Sequence, residues 1–317
     1  MPPRTCFPTS LPARSSSSSS RGRVAQRTFC LSGPPPRQPA SSRIYPSSPR
    51  PPPGMAGSAP ANLAKTAGPH PRAIGRKAAP ATARPGQERC RAPPSPASGG
   101  VPTPSPLYLA RCLPPPATLS SPRRVLVILD LNGTLLYRPS RRHPSRFVER
   151  PHARPFLSYC LDTFHVAIWS SARPHNVHSM VRQFLTPEQR ARCVVVWARD
   201  RLGLCAADYD ARVQVYKRLS VVWASDAVRR SHPDAAAGGA WDQSNTVLVD
   251  DSREKGRSEP YNILPVPEFS GLGTEPVAVL PQVHDYLNRL CYQADVSRYM
   301  RRTPFQLDPN YTLPQGP

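Results

Sequence analysis

The chain has 317 residues, and its 42 Lys and Arg against 20 Asp and Glu give a net charge of +22 at pH 7. Residues 1–120 contain 16 of the basic residues, one acid and 27 of the 44 prolines. A segment so poor in large apolar side chains cannot bury enough surface to offset its ordering entropy. Composition therefore excludes a chain that is globular throughout. It predicts a disordered basic tail over 1–120, followed by one α/β domain.

Several protein classes are disfavoured by simple patterns. No apolar stretch approaches the roughly 20 residues of a membrane span, and none of the eight cysteines forms a C-x-x-C pair that would suggest a zinc site. The tail lacks the interleaved aromatic residues that stack on bases, so we expect no specific nucleic-acid recognition. Its Arg- and Ser-rich composition fits either a mitochondrial transit peptide or a solvated tail of a nuclear or cytoplasmic protein.

After the tail, short apolar runs alternate with amphipathic stretches. In chain order they predict a strand at 125–129, a helix at 155–164, a strand at 165–169, a helix at 174–185, a strand at 193–197, a helix at 211–222, a loop at 231–243, a strand at 246–249, an irregular stretch to 273 and a helix at 281–301. This alternation is typical of a three-layer α/β sandwich with a central, mainly parallel sheet. We place that domain at 121–300, with a short C-terminal tail at 301–317.

Polar side chains directly follow three of the predicted strands. Asp130 follows the first strand, Ser170 and Ser171 follow the second, and Asp250 with Asp251 ends the last. In parallel sheets the ligand lies beyond the carboxyl ends of the strands. We therefore expect these five side chains to share one crevice.

The chemistry of this set suits phosphate transfer. A carboxylate such as Asp130 can attack phosphorus and form an aspartyl-phosphate. Asp250 and Asp251 would help to hold Mg²⁺, which prefers oxygen ligands and neutralises the approaching anions. Lys217 is the one lysine between Lys77 and Lys255, and it would supply a further positive charge to the phosphate.

The order of these residues carries a resemblance. The segments are Asp130-Leu131-Asn132-Gly133-Thr134, then Ser170-Ser171, Lys217 and Asp250-Asp251-Ser252, with Arg150-Pro151 and Pro260-Tyr261-Asn262 between and after them. Together they resemble the carboxy-terminal-domain phosphatase group, also called the NLI-interacting-factor-like family, of the haloacid dehalogenase superfamily. The similarity covers roughly residues 123–295.

The resemblance implies a role for each matching residue. Asp130 would be the nucleophile, and Mg²⁺ would be held by Asp130, Asp250, Asp251 and the Asn132 carbonyl. Phosphate would be held by four further side chains: Thr134, Ser170, Ser171 and Lys217. The substrates of such a family are phosphoserine and phosphothreonine in proteins, so a phosphorylated protein is the expected partner.

Asn132 departs from the family pattern, which has a second Asp at this position to protonate the leaving group and activate water. An amide can do neither, so we expect weak catalysis. The alternative is a non-catalytic binding protein on the same fold, as in the presequence-receptor subunit of the mitochondrial inner-membrane translocase. Taken alone, Ser170 is also a plausible helix cap, Lys217 a solvated helix lysine and Lys255 a simple loop charge.

Overall fold

The computed structural model of the chain describes residues 91–140, 143, 146–275 and 277–313. The predicted disordered tail or transit peptide therefore lies outside the described residues over residues 1–90. Within the described part, no helix has both the length and the apolar character needed to cross a membrane.

The strands form one parallel sheet and one small hairpin. In chain order they are β1 (Leu126–Leu129), β2 (Leu136–Tyr137), β3 (Val148–Glu149), β4 (His165–Trp169), β5 (Val196–Trp197), β6 (Thr246–Asp250) and β7 (Ile263–Pro265). The sheet has the order β5-β4-β1-β6-β7, and every pairing in it is parallel. Strands β2 and β3 pair antiparallel beside it. The predicted α/β class with a central parallel sheet is confirmed.

Nine helices accompany these strands in the described residues. They are α1 (Pro106–Cys112), α2 (Ala153–Thr163), α3 (Pro174–Phe184), α4 (Pro187–Arg192), α5 (Ala206–Asp210), α6 (Leu219–Ala224), α7 (Asp226–Arg230), α8 (Val279–Cys291) and α9 (Val296–Arg302). The predictions at 155–164 and 174–185 correspond to α2 and α3.

Both faces of the sheet are covered, which explains the unbroken apolar run of β1. Val127 and Leu129 face a core built with α2, α3, α8 and α9, whereas Leu126 and Ile128 face a second core built with α6 and α7. A strand buried on both faces has no polar alternation. The central strand therefore holds a fixed position between two helical layers.

The predicted helix at 211–222 is wrong over its first two thirds. Residues 211–218 are not helical, and helix begins only at Leu219, in α6. The backbone amide of Gln214 donates to the Ala92 carbonyl, and that of Lys217 donates to the Lys255 carbonyl. Because these amides are bonded to distant segments, tertiary contacts override the local helical periodicity.

Three other elements differ from the sequence prediction. The final helix is interrupted, because the Asp295 side chain accepts from the Arg298 amide and begins a new helix, α9. Strand β5 has two residues instead of the predicted five. Strand β7 was missed inside the stretch predicted to be irregular, since a run of only two apolar residues, Ile263 and Leu264, marks it.

Residues 91–120, which composition assigned to the tail, contact the domain. Helix α1 buries Tyr108, whose hydroxyl donates to Asn262 Oδ1 at 2.9 Å and accepts from the Tyr261 amide at 2.9 Å. Cys112 is fully buried against Ser297 and Gln243. Specific polar contacts attach this proline-rich segment, and composition cannot reveal them.

We predict that Tyr108→Phe lowers the free energy of unfolding by about 1–3 kcal/mol. The buried Asn262 side-chain oxygen and the partly buried Tyr261 amide would both lose their partner. Urea denaturation of the full chain measures the effect. Leu107→Ala is the matched control on the same helix, since Leu107 is 62% exposed and its loss should cost less than about 0.5 kcal/mol. Equal effects of the two changes would contradict a stabilising role for this segment.

Candidate active site

The polar residues at the strand ends do meet at one edge of the sheet. Strand β1 lies between β4 and β6, so Asp130 is flanked by Ser170 on one side and by Asp250 on the other. The Asp130 amide donates to the Val249 carbonyl at 3.0 Å, which continues the register of β1 with β6. Asp130, Ser170 and Asp250 are each at most 1% exposed.

Lys217 lies between two of these carboxylates. Its ammonium donates to Asp130 Oδ1 at 2.8 Å and to Asp250 Oδ2 at 2.6 Å, and the side chain is fully buried. The extended segment before α6 delivers it. The structure therefore places Lys217 at the predicted site, although not on the predicted helix.

Lys255 is a second buried cation that sequence reasoning left unassigned. Its ammonium lies 2.7 Å from Asp250 Oδ1, 2.7 Å from Asp251 Oδ1 and 3.7 Å from Asp130 Oδ2. A 3₁₀ helix at Arg253–Gly256 places it four residues after Asp251. That spacing was the available signal, but a lone lysine in a predicted irregular segment is more often a surface charge.

The buried charges perturb one another. Burial by itself raises the pKa of Asp250, but the ammonium groups of Lys217 and Lys255 outweigh it and hold the pKa well below its usual range. Burial raises the pKa of Asp251 to about 7 despite the nearby Lys255. Burial disfavours the charged form of Lys255, but Asp130, Asp250 and Asp251 outweigh it and raise its pKa well above the usual value.

The carboxylates form a plausible donor set for Mg²⁺. Oxygens of Asp130, Asp250 and Asp251 lie within 4.8 Å of one another, and hard oxygen ligands are those that Mg²⁺ prefers. Asp130 Oδ2 is buried and has no hydrogen-bond partner among the described residues. A buried carboxylate oxygen in that condition is suited to a cation or to a reacting group.

Asn132 is directed toward an arginine. Its side-chain oxygen accepts from the Arg138 amide at 3.2 Å and from Arg138 Nε at 3.3 Å. Burial lowers the pKa of Arg138, and the charge of Asp130 partly offsets this effect. Arg138 is thus a third cation near the nucleophile candidate, and no pattern in the sequence singles it out.

The predicted phosphate-holding hydroxyls differ in their surroundings. Thr134 is fully buried, and its hydroxyl has no hydrogen-bond partner among the described residues. The Ser170 oxygen accepts from the Ala172 amide at 3.4 Å, and Ser171 is half-buried beside it. A free buried hydroxyl at Thr134 is the more informative feature, because buried polar groups are normally satisfied.

Arg150 fixes the backbone around these residues. Its guanidinium is fully buried and donates to the Thr134 carbonyl at 2.9 Å, to the Pro267 carbonyl at 2.8 Å and to Glu275 at 3.0 Å. The Phe269 amide also donates to the Gly133 carbonyl at 2.7 Å. The loop after β1 is therefore attached to the loop after β7, as a planar five-donor guanidinium permits.

The sequence pattern of the NLI interacting factor-like phosphatases matches residues 125–297. The chain belongs to this family. The match includes each of the residues just described, and the family resemblance predicted from the motifs is confirmed.

Curated relatives agree with this assignment. An uncharacterized FCP1 homology domain-containing protein of Schizosaccharomyces pombe is 33% identical over 221 residues, covering 65% of this chain and 87% of that protein. A CTD phosphatase-like protein of Invertebrate iridescent virus 6 is 25% identical over 150 residues, covering 44% of this chain and 72% of its own.

Solved structures of the RNA polymerase II CTD phosphatase Fcp1 are also similar, at TM-scores of 0.31. The fission yeast enzyme bound to beryllium fluoride is 15% identical and a second Fcp1 structure 16% identical, over 49% and 60% of this chain. The chain spans 43% and 57% of those two structures, which is about half their length.

We predict that Gly133→Ala disrupts the site more than its backbone strain alone requires. Gly133 has φ +93°, and an added Cβ would lie 2.6 Å from Asp251 Oδ2. Gly238→Ala is the matched control, because Gly238 has φ +83° with no atom within 4 Å of an added Cβ. We expect a loss of about 1 kcal/mol in the control and about 1–3 kcal/mol more at Gly133. Urea denaturation measures both; equal losses would mean that Asp251 moves aside freely.

Proposed function

We propose that this chain is a Mg²⁺-dependent phosphatase of phosphoserine and phosphothreonine in proteins, acting through an aspartyl-phosphate on Asp130 and slowed by Asn132. One observation carries the proposal. Asp130 is a buried carboxylate with one oxygen bonded to Lys217 and the other without a hydrogen bond in the described residues.

The two oxygens of Asp130 suit different tasks. Lys217 holds Oδ1 and so orients the carboxylate, which leaves Oδ2 to attack phosphorus. In the first step the Oδ2–P bond forms and the bond from phosphorus to the serine or threonine oxygen breaks. Water then attacks the phosphorus of the aspartyl-phosphate and the Oδ2–P bond breaks, which releases phosphate and restores the carboxylate. The proton that this water loses balances the proton that the departing alkoxide takes up.

The Asp130 carboxylate and the phosphoryl group are both anions, so positive charge is needed for them to approach each other. Asp130, Asp250, Asp251 and the Asn132 carbonyl would hold Mg²⁺, which when bound supplies positive charge to the phosphoryl group. The Thr134 hydroxyl, Ser170, Ser171 and Lys217 would hold the phosphoryl oxygens. Thr134 has a hydroxyl available for this role, since it is buried without a partner in the described part of the chain.

Asn132 limits the reaction at its proton transfers. The departing serine or threonine alkoxide needs a proton, and the attacking water must lose one. The Asn132 amide does not titrate, and its oxygen is already bonded to Arg138. Loss of general acid–base help typically costs 10²–10⁴-fold. We therefore expect slow turnover of alkyl phosphates, and less impairment with aryl phosphates, whose leaving groups need little protonation.

The class of substrate follows from the family. Among the relatives, Fcp1 is described as an RNA polymerase II CTD phosphatase and the viral protein as CTD phosphatase-like. We extend from them only the substrate class, a phosphorylated protein.

The full-length chain should hydrolyse p-nitrophenyl phosphate with Mg²⁺, and Asp130→Asn should reduce the rate by at least about 10³-fold, because an amide oxygen is a poor nucleophile. Release of p-nitrophenolate measures the rate.

Ser171→Ala is the comparison variant. It keeps the main-chain position and removes only one hydroxyl, so its rate of hydrolysis should fall less than that of Asp130→Asn. Thermal unfolding of each variant controls for folding. A wild-type rate equal to that of Asp130→Asn would disprove the phosphatase proposal.

Asn132→Asp should restore an acid at the family position and raise the hydrolysis of an alkyl phosphate, such as a phosphoserine peptide, by about 10²-fold. The same variant on p-nitrophenyl phosphate provides the control, because that leaving group needs little protonation. The ratio of the two rates should therefore rise; an unchanged ratio would show that Asn132 is not what limits the reaction.

The second candidate is a binding protein on the same fold, with a place in mitochondrial protein import. Asn132 favours it, because a site that only binds does not need an acid. Imaging of a tagged full-length chain tests the mitochondrial part of this candidate. A diffuse cytosolic or nuclear signal would reject it, whereas turnover of p-nitrophenyl phosphate that depends on Asp130 would reject a purely binding role.

A further inference from the structure

Lys255 lies where the metal ligands converge. Its ammonium contacts one oxygen of each acid in the candidate donor set, Asp250 Oδ1 and Asp251 Oδ1 at 2.7 Å and Asp130 Oδ2 at 3.7 Å. The oxygens that would bind a divalent metal ion therefore already surround the singly charged Lys255 ammonium.

The two buried lysines divide the carboxylate oxygens between them. Lys217 takes Asp130 Oδ1 and Asp250 Oδ2, whereas Lys255 takes the opposite oxygen of each. Only Lys255 also contacts Asp251. Lys217 can thus stay in place beside a bound metal, but Lys255 and the metal need the same two oxygens, Asp250 Oδ1 and Asp251 Oδ1.

Simultaneous occupancy is opposed by distance and charge. Mg²⁺ binds oxygens at about 2.0–2.1 Å in a tight octahedron, so an ion on these oxygens would lie within a few ångströms of the Lys255 ammonium. A monovalent and a divalent cation at such a separation in a buried site repel strongly. The side chain of Lys255 must leave before the ion can take its full set of ligands.

The side chain of Lys255, and not its backbone, is free to make this move. The Lys255 carbonyl accepts from the Lys217 amide at 2.7 Å. The next residue, Gly256, packs so closely that an added Cβ would lie 2.8 Å from Ile263. The backbone is therefore held, while the lysine side chain is 7% exposed and turns on four flexible methylenes.

We propose that the Lys255 ammonium is a built-in counter-ion of the metal position, which competes with Mg²⁺ for the oxygens of Asp250 and Asp251 beside Asp130. In the metal-free chain it keeps the three acids gathered without mutual repulsion. When metal enters, Lys255 swings toward solvent. The inference rests on the ligand set of the proposed function, but it concerns binding and not turnover.

Removal of the competitor should tighten metal binding. In the full-length chain, Lys255→Met should bind Mg²⁺ at least about 10-fold more tightly than the wild type, because the ion no longer displaces a cation. Isothermal titration calorimetry measures the affinity without any substrate.

Arg253→Met is the matched control. It removes the same formal charge from the same 3₁₀ turn, but Arg253 is exposed. We expect its affinity to change by less than about 3-fold, as screened surface charges do. An equal gain in Mg²⁺ affinity in both variants would mean that Lys255 acts only through its net charge, and it would overturn the proposal. Unchanged or weaker Mg²⁺ binding by Lys255→Met would also overturn it.

A measurement on the unaltered chain covers the case in which Lys255→Met does not fold. The chain has four lysines, Lys65, Lys77, Lys217 and Lys255, so acetylation by acetic anhydride can be followed at each one by mass spectrometry. Saturating Mg²⁺ should increase the labelling rate of Lys255 several-fold while Lys217 stays protected. A rate at Lys255 that is unchanged or reduced would overturn the competition.

Neither measurement depends on catalysis. A chain that fails to hydrolyse p-nitrophenyl phosphate but shows the exchange at Lys255 would lose the proposed activity and keep this inference. A chain that hydrolyses it while Lys255 stays protected from acetylation would do the reverse.

Discussion

The buried cluster of two lysines and three aspartates is the constraint around which the carboxyl edge of the sheet is built. Carboxylates at this depth carry a large desolvation cost, which is offset only by close opposite charges. Lys217 and Lys255 provide them, and each comes from a segment outside the strands. The bond from the Lys217 amide to the Lys255 carbonyl joins those two segments. The cluster thus links β1, β6, the extended segment before α6 and the 3₁₀ turn after β6 in one charged unit.

The surrounding backbone protects this geometry. Gly133 takes a left-handed conformation where a side chain would collide with Asp251, and Arg150 attaches the loop after β1 to the loop after β7. Those contacts bind main-chain groups and leave the Thr134 hydroxyl and Asp130 Oδ2 without hydrogen-bond partners in the described residues. The buried polar groups that the structure leaves unsatisfied near the cluster are therefore groups that phosphate transfer would use.

Asn132 and Arg138 give this member of the family a distinct electrostatic character. Asn132 is a neutral amide, and Arg138 donates to its oxygen instead of pairing with an anion there. The site therefore combines three aspartates, Asp130, Asp250 and Asp251, with three nearby cations, Lys217, Lys255 and Arg138. Such a balance would favour holding a phosphate dianion, as both the slow phosphatase that we propose and a binding role require.

The sequence by itself determined the family, the parallel α/β architecture and the strand ends that carry Asp130, Ser170 and Asp250, because long apolar runs and ordered motifs are local features. It could not determine the conformation of residues 211–218, where the same side chains satisfy a helical pattern while the amides bond to Ala92 and Lys255. Nor could it reveal the roles of α1, Arg138 and Lys255, since each depends on partners distant in sequence or on burial that only packing creates. Tertiary structure alone decided that a lysine from an irregular turn would become the cation at the centre of the acidic cluster.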